Sequence, residues 1–233
     1  MKTLCVIPVR GGSKGIPRKN LAEIVGGVSL LEWTIRQARA VYAPDEIMVS
    51  TEDAEMASAA RDCDARVIPR PEALAQDEST TASVVEHMLA ELDPGGGEYA
   101  AIAILQVTSP LRLPQDIFRA REMIETGAYD SVVSAYPETA THPAKMYILR
   151  GGMAHAVLPE FETARRQDLP PVYRRNGAIF MVTRAHFERT GRLWGGRTGL
   201  AEMPRERSID VDAPADLEAA RRYLADHRED WDV

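Results

Sequence analysis

The strongest constraint on the fold is an alternation between short, unbroken apolar runs and segments with helical spacing. Residues 4–8 (LCVIP) form the first run, the pattern of a strand covered on both faces. Residues 29–41 then place Leu30, Leu31, Ile35 and Ala38 at helical spacing behind Ser29, whose hydroxyl suits an N-cap. A second run, 47–50, leads into Thr51-Glu52-Asp53, which can cap a helix reaching about Arg61, and a third, 65–68, ends at Pro69-Arg70-Pro71. The spacing predicts a further helix over 79–92, a central strand over 100–105, a helix over 114–125 and a strand over 131–135. Such a rhythm buries its apolar faces as a parallel sheet with helices on both sides, and places ligands at the carboxyl ends of the strands. The 233 residues read as a single domain, 1–233.

The loop after the first strand, IPVRGGSKGIPRKN over 7–20, joins Gly11, Gly12 and Gly15 to a hydroxyl at Ser13 and to the cations Arg10, Lys14, Arg18 and Lys19. Glycines let a backbone fold tightly and present N–H groups to anionic oxygens, while the cations neutralise charge. The spacing is neither that of a Walker loop nor that of a dinucleotide-binding G-x-G-x-x-G. By composition alone it is a phosphate-holding loop or a solvated basic turn.

Its order of residues resembles the signature of the acylneuraminate cytidylyltransferase family, typically IPARGGSKGIPRKN, with Val9 replacing alanine. LQVTSPLR over 105–112 is similar to the family's LQPTSPLR, NGAIF over 176–180 to NGAIY, and Asp210-Val211-Asp212 to its D-x-D, all in the family's order. The resemblance implies a Rossmann-like, glycosyltransferase-A-like nucleotidyltransferase with a mostly parallel central sheet. It implies an enzyme that joins a nonulosonic acid such as N-acetylneuraminate to CMP from CTP, releasing pyrophosphate. Arg10, Gly11, Gly12, Ser13, Lys14, Lys19 and Asn20 would hold the nucleotide with Arg70 and Ser79. Gln106, Thr108, Ser109, Lys145, Arg166 and Phe180 would face the sugar acid. Arg10, Lys19, Gln106, Asp210 and Asp212 would act on the reacting groups. Ser79 can also be read as a helix cap, and Lys145 and Arg166 as surface cations.

From residue 136 to 171 the strand–helix rhythm stops. Gly151-Gly152 between Tyr147-Ile148-Leu149 and the alternating Ala154, Ala156 and Leu158 predicts a hairpin. In the resembled family an insertion here mediates homodimerisation and reaches into the partner's site. Phe180 lacks the phenol oxygen of the family's tyrosine, which leaves open legionaminic, pseudaminic or a related acid as acceptor, with GTP in place of CTP as a further variant.

Residues two apart in an extended segment point the same way, so Asp210 and Asp212 can offer two hard oxygen ligands on one face. Mg²⁺ takes one or two carboxylates together with phosphate oxygens, which suits this pair; capping of the following helix explains only one of them. A D-x-D can also hold a nucleotide-sugar diphosphate in a glycosyltransferase, but that reading leaves the basic loop unexplained. A net charge of −7 argues against nucleic-acid binding. Cys5 and Cys63 have neither disulfide-framework nor zinc spacing, and no run approaches a membrane span, so the expected location is the cytoplasm.

Overall fold

The computed structural model describes residues 1–12 and 15–231, with the side chain of residue 230 excepted. Strand β1 (Thr3–Pro8) is followed by a small hairpin, β2 (Glu23–Val25) and β3 (Val28–Ser29), and by helix α1 (Leu30–Arg39). Then come β4 (Ile47–Thr51), α2 (Ala54–Asp62), β5 (Arg66–Pro69), α3 (Thr81–Leu92), β6 (Ala101–Leu105), α4 (Pro114–Glu125) and β7 (Ser131–Pro137). The chain continues through β8 (Tyr147–Arg150), β9 (Met153–Ala156), β10 (Tyr173–Thr183), α5 (Arg184–Thr190), β11 (Thr198–Glu202) and α6 (Pro214–Asp226).

Seven strands form one sheet in the order β11-β7-β10-β6-β1-β4-β5. Every pairing is parallel except the two made by β10, which runs against both β6 and β7. The mostly parallel sheet expected from the sequence is therefore present, with one reversed strand. Side chains alternate between its faces as strand geometry requires. Cys5 and Ile7 of β1 join Leu30, Ile35, Met56, Ile117 and Leu217 under α1, α2, α4 and α6. Leu4 and Val6 join Val85, Met88 and Phe187 under α3 and α5.

Local chemistry explains the helix starts. The Ser29 hydroxyl accepts from Glu32 N–H (3.2 Å), and the Asp53 carboxylate accepts from Glu55 and Met56 N–H. At α3 the cap is Thr80, accepting from Ser83 N–H, while the Ser79 hydroxyl turns back to the Ala73 carbonyl. The structure adds β2, β3, α5 and β11, whose short or mixed segments carry no clear periodicity.

The reversed strand matters most for function. Because β10 is antiparallel, its start lies where β6 and β7 end, beside the loop that follows β1. Its register against β7 shifts between Arg175 and Phe180, leaving Asn176 and Gly177 (φ +79°) bulged out of the ladder. The Ser134 hydroxyl fills the gap, donating to Asn176 Oδ1 (2.6 Å) and accepting from Ile179 N–H (2.8 Å). The predicted hairpin is β8–β9, paired antiparallel and separate from the main sheet. Among the described residues no helix is long and apolar enough to cross a membrane.

Candidate active site

Three segments far apart in sequence meet at the carboxyl ends of β1, β4 and β6. The first is the glycine-rich loop. Gly11 N–H donates to Glu52 Oε1 (2.7 Å), and a Cβ on Gly11 would lie 2.6 Å from Asp53 Oδ2. A Cβ on Gly15 would lie 2.1 Å from the Asp212 carbonyl oxygen. Close approach, rather than a left-handed backbone, thus demands glycine at both positions. Buried Asn20 ties the loop by donating to the Arg10 carbonyl (3.1 Å).

The loop's cations do not act alike. Arg10 pairs with Asp77 (2.8 Å), and Lys19 Nζ donates to the Val211 carbonyl (2.7 Å) and to Asp212 Oδ1 (3.0 Å). Arg18 turns the other way, to Asp53 and Glu55 of α2, so it is withdrawn from the phosphate-holding set in which the loop's composition placed it. Ser13 and Lys14 lie outside the described residues.

A cavity of about 300 Å³ opens against this loop, lined by Arg10, Gly12, Lys19, Asn20, Arg70, Ser79, Gln106 and Thr108. Arg70 is buried, donating to the Ser50 carbonyl (2.6 Å) and hydroxyl (3.1 Å). Burial lowers its pKa, and the nearby Glu52 carboxylate opposes that shift.

The second segment is the turn after β6. Arg112 is fully buried beneath it, one Nη donating to the carbonyls of Gln106 (2.6 Å), Ser109 (2.9 Å) and Ala178 (3.4 Å). Desolvation pushes its pKa down to about 9, so the guanidinium stays charged at neutral pH. With its carbonyls drawn inward, the turn leaves Gln106 and Thr108 on the cavity wall, whereas Ser109 is buried and its hydroxyl has no hydrogen-bond partner among the described residues.

The third segment carries Asp210 and Asp212. Val211 N–H donates to the Thr108 carbonyl (2.7 Å), joining it to the second segment. Asp216 takes the capping duty of α6, accepting from Asp212 N–H (3.1 Å) and Ala213 N–H (2.8 Å), so neither earlier carboxylate is needed as a cap. Although Asp210 is exposed as a residue, protein atoms crowd its carboxyl. That desolvation raises its pKa, the Asp212 charge raises it further, and a hydrogen bond from Thr108 and the charge of Lys19 oppose the rise. Asp212 pairs with the Lys19 ammonium, whose charge also reaches Asp210, and the two hard carboxylates are a donor set that fits a divalent cation completed by substrate oxygens. Among the described residues no cluster of three or more histidine, cysteine or acidic side chains stands ready to hold a metal without such help.

Asp210 also lines a second cavity of about 480 Å³, with Tyr136, Arg174, Arg175, Asn176, Gly177, Phe180 and Trp194. The Arg175 guanidinium lies 4.5 Å from the Trp194 ring centroid, and the Phe180 ring lies tilted against the same indole with centroids 5.7 Å apart. Thr108 in the wall of the first cavity thus acts on the carboxyl of Asp210 in the wall of the second.

Lys145 and Arg166 line neither cavity. Lys145 Nζ donates to the carbonyls of Glu162 and Ala164 (both 2.9 Å), and Arg166 to that of Thr139 (2.8 Å), both within the 136–171 insertion. Arg174, Arg175, Trp194 and Asp77 were not singled out from the sequence, and Glu52 was named there only as part of a helix cap. The basic pair directly ahead of Asn176-Gly177 is the signal that could have found the first two.

A family model described as Cytidylyltransferase matches residues 4–189. The chain is 32% identical over 220 residues to an N-acylneuraminate cytidylyltransferase of Streptococcus agalactiae serotype V, covering 93% of this chain and 52% of that protein. It is 32% identical over 223 residues to the N-acylneuraminate cytidylyltransferase of Oncorhynchus mykiss, covering 94% of this chain and 49% of that protein. The chain therefore spans about half the length of the curated relatives it matches. Among solved structures, a CMP:2-keto-3-deoxy-manno-octonic acid synthetase complexed with CTP superposes with a TM-score of 0.72 at 19% identity, covering 97% of this chain and 99% of that one. At that identity the likeness shows the fold.

Proposed function

The chain belongs to the cytidylyltransferase family, and on that premise we propose that it transfers CMP from CTP to the anomeric hydroxyl of a nonulosonic acid, N-acetylneuraminate being the leading acceptor. The observation that carries this reading is the junction of the two cavities. A basic, glycine-lined space suited to a triphosphate has Lys19 and Thr108 in its wall, a space with two arginines, suited to a sugar acid, has Asp210 in its wall, and Lys19 pairs with Asp212 two residues further along.

In this reading the loop backbone, Arg10 and Lys19 hold the triphosphate, and Asn20, Arg70 and Ser79 line the nucleoside side. Arg174 and Arg175 offer the acceptor carboxylate a cation. The anomeric oxygen attacks the α-phosphorus in line as the bond to the β-phosphate oxygen breaks, pyrophosphate takes the bonding electrons, and the hydroxyl proton is released. Such a transfer needs positioning and charge neutralisation rather than covalent help. Asp210 and Asp212 would hold Mg²⁺, which would neutralise charge on the triphosphate oxygens. The exposed apolar side chains Tyr147, Leu149 and Met153 of the β8–β9 hairpin support homodimerisation through the insertion, with Lys145 and Arg166 serving a partner's cavity.

Pyrophosphate release over a matrix of nucleotides and sugar acids tests the reading. CTP with a nonulosonic acid should give turnover that neither substrate gives alone. Release with no such acceptor would reject it.

A further inference from the structure

Asp77 puts a carboxylate in the wall of the nucleotide cavity, where a triphosphate gains nothing from it, since like charges repel. Its partner is Arg10, which lines the same cavity: Nη1 donates to Asp77 Oδ1 at 2.8 Å. The arginine assigned above to the triphosphate is thus already answered by an anion of the protein itself. This pairing differs from that of Arg18, which two carboxylates of the α2 start hold away from the cavity. The Arg10 and Asp77 side chains are 37% and 50% exposed, so water competes for both groups and the pair is weak. A triphosphate offers the same guanidinium several oxygens in charge-assisted and bidentate contacts, and the carboxylate yields to it.

The stretch that carries Asp77, between β5 and α3, is built to give way. Leu74 N–H donates to the Pro71 carbonyl (2.8 Å), Ser79 N–H to the Gln76 carbonyl (3.1 Å) and the Ser79 hydroxyl to the Ala73 carbonyl (3.1 Å). These bonds close the stretch on itself, and none of them belongs to the sheet ladder, so it can shift without loosening a strand. Resting on the function proposed above, we infer that Asp77 is a positioning residue for the reaction: it holds the Arg10 guanidinium at the cavity wall, releases it to the incoming triphosphate, and recaptures it as pyrophosphate leaves. Arg10 then meets its substrate already placed. Each phosphate contact it makes is set against a carboxylate contact given up, so CTP and pyrophosphate are both held less tightly than an unpaired arginine would hold them.

Calorimetric titration of the whole protein with CTP, and separately with inorganic pyrophosphate, in the presence of Mg²⁺ and without acceptor, tests the exchange. Asp77→Asn should lower both Kd values about two- to fivefold, the range that exposed ion pairs supply, and Asp77→Glu should return them to those of the parent. Made in an Arg10→Ala background, Asp77→Asn should leave both Kd values unchanged, because no guanidinium remains to be exchanged. A gain that persists in that background would make Asp77 a merely repelling charge and overturn the inference. Unchanged Kd values for Asp77→Asn alone would also overturn it, as would weaker binding, which would make Asp77 a group that supports the bound nucleotide. A parent protein that binds neither CTP nor pyrophosphate overturns the proposed function and this inference with it.

Discussion

Lys19 and Asp212, 193 positions apart, meet at 3.0 Å, and the same ammonium holds the Val211 carbonyl at 2.7 Å. The first loop of the chain and its last loop before α6 are thereby clasped across the mouth of the nucleotide cavity.

Lys19→Ala removes the clasp and the only ammonium beside the two carboxylates among the described residues. The KM for CTP should rise about tenfold or more, as expected when a charge-assisted contact is lost. Asp212→Asn should instead lower kcat by orders of magnitude with little change in melting temperature. Steady-state pyrophosphate release distinguishes the two patterns, and near-normal kcat for Asp212→Asn with Mg²⁺ present would remove that carboxylate from the site.

Gly15→Ala should act on the same contact from the other side. The added methyl cannot coexist with an Asp212 carbonyl oxygen 2.1 Å away, so the loop must lift. Gly15 is exposed, and global stability should hold within about 0.5 kcal/mol. Activity should nonetheless fall about tenfold to a hundredfold through misplaced phosphate contacts. Unchanged kinetics would mean that the loop is not closed on Asp212 in the working enzyme.

Asp210 gives a pH signature. Its folded-state pKa lies above 3.8, so in that window the native protein binds more protons than the unfolded chain, and stability falls as pH rises through it. Asp210→Asn abolishes this loss. In the presence of a chelator the variant should melt about 1–3 °C above the parent at pH 7, and the difference should vanish near pH 3.8. A variant that melts lower at pH 7 would contradict the crowding of that carboxyl.

Arg112 acts on the site through the backbone. Arg112→Met strips donors from the carbonyls of Gln106 and Ser109 but also removes a buried charge, so the two effects on stability largely offset. Activity should drop about a hundredfold because Gln106 and Thr108 lose their anchor, and Arg112→Lys should recover part of it. A melting temperature and a kcat/KM that change in proportion across the two variants would reduce Arg112 to a core residue.

Mixing separately inactive Arg166→Ala and Asp212→Asn subunits tests the role of the insertion. If Arg166 serves a partner's cavity, each heterodimer holds one intact site and activity should return to a fraction of the parent's. Verified heterodimers with no activity would place Arg166 in its own chain's service.

The sheet was legible because β1, β4 and β6 are buried on both faces and so are written as continuous apolar runs. Asp53 and Ser29 declared their helices by capping chemistry, whereas at α3 the cap is Thr80, one residue after the Ser79 that the sequence offered. The reversed strand was partly hidden: NGAIF over 176–180 stands out as a motif, but pairing begins earlier, at Tyr173, where polar residues meet the end of β7. That extension is what brings Arg174 and Arg175 to the acceptor cavity. The partners of the site's cations were also invisible. Nothing local to Arg18 says that it will follow Asp53 while Lys19 follows Asp212; that division is made by where α2 and the 208–212 segment come to rest. Trp194 escaped for the same reason, since a tryptophan between Leu193 and the Gly195-Gly196 pair has no periodicity to join.

Tyr173 pairs with Pro137, so the chain leaves the sheet at the end of β7 and re-enters it on the adjacent strand. The peptide between is moored at both ends to one rung. Its length and sequence are free to drift over generations, or to be exchanged wholesale, without disturbing the strands that carry the glycine-rich loop. Every such change is nevertheless delivered to the start of β10, next to Arg174 and Arg175. The architecture sets the glycine-rich loop and the start of β10 on separate supports, so a lineage can remodel one while inheriting the other intact.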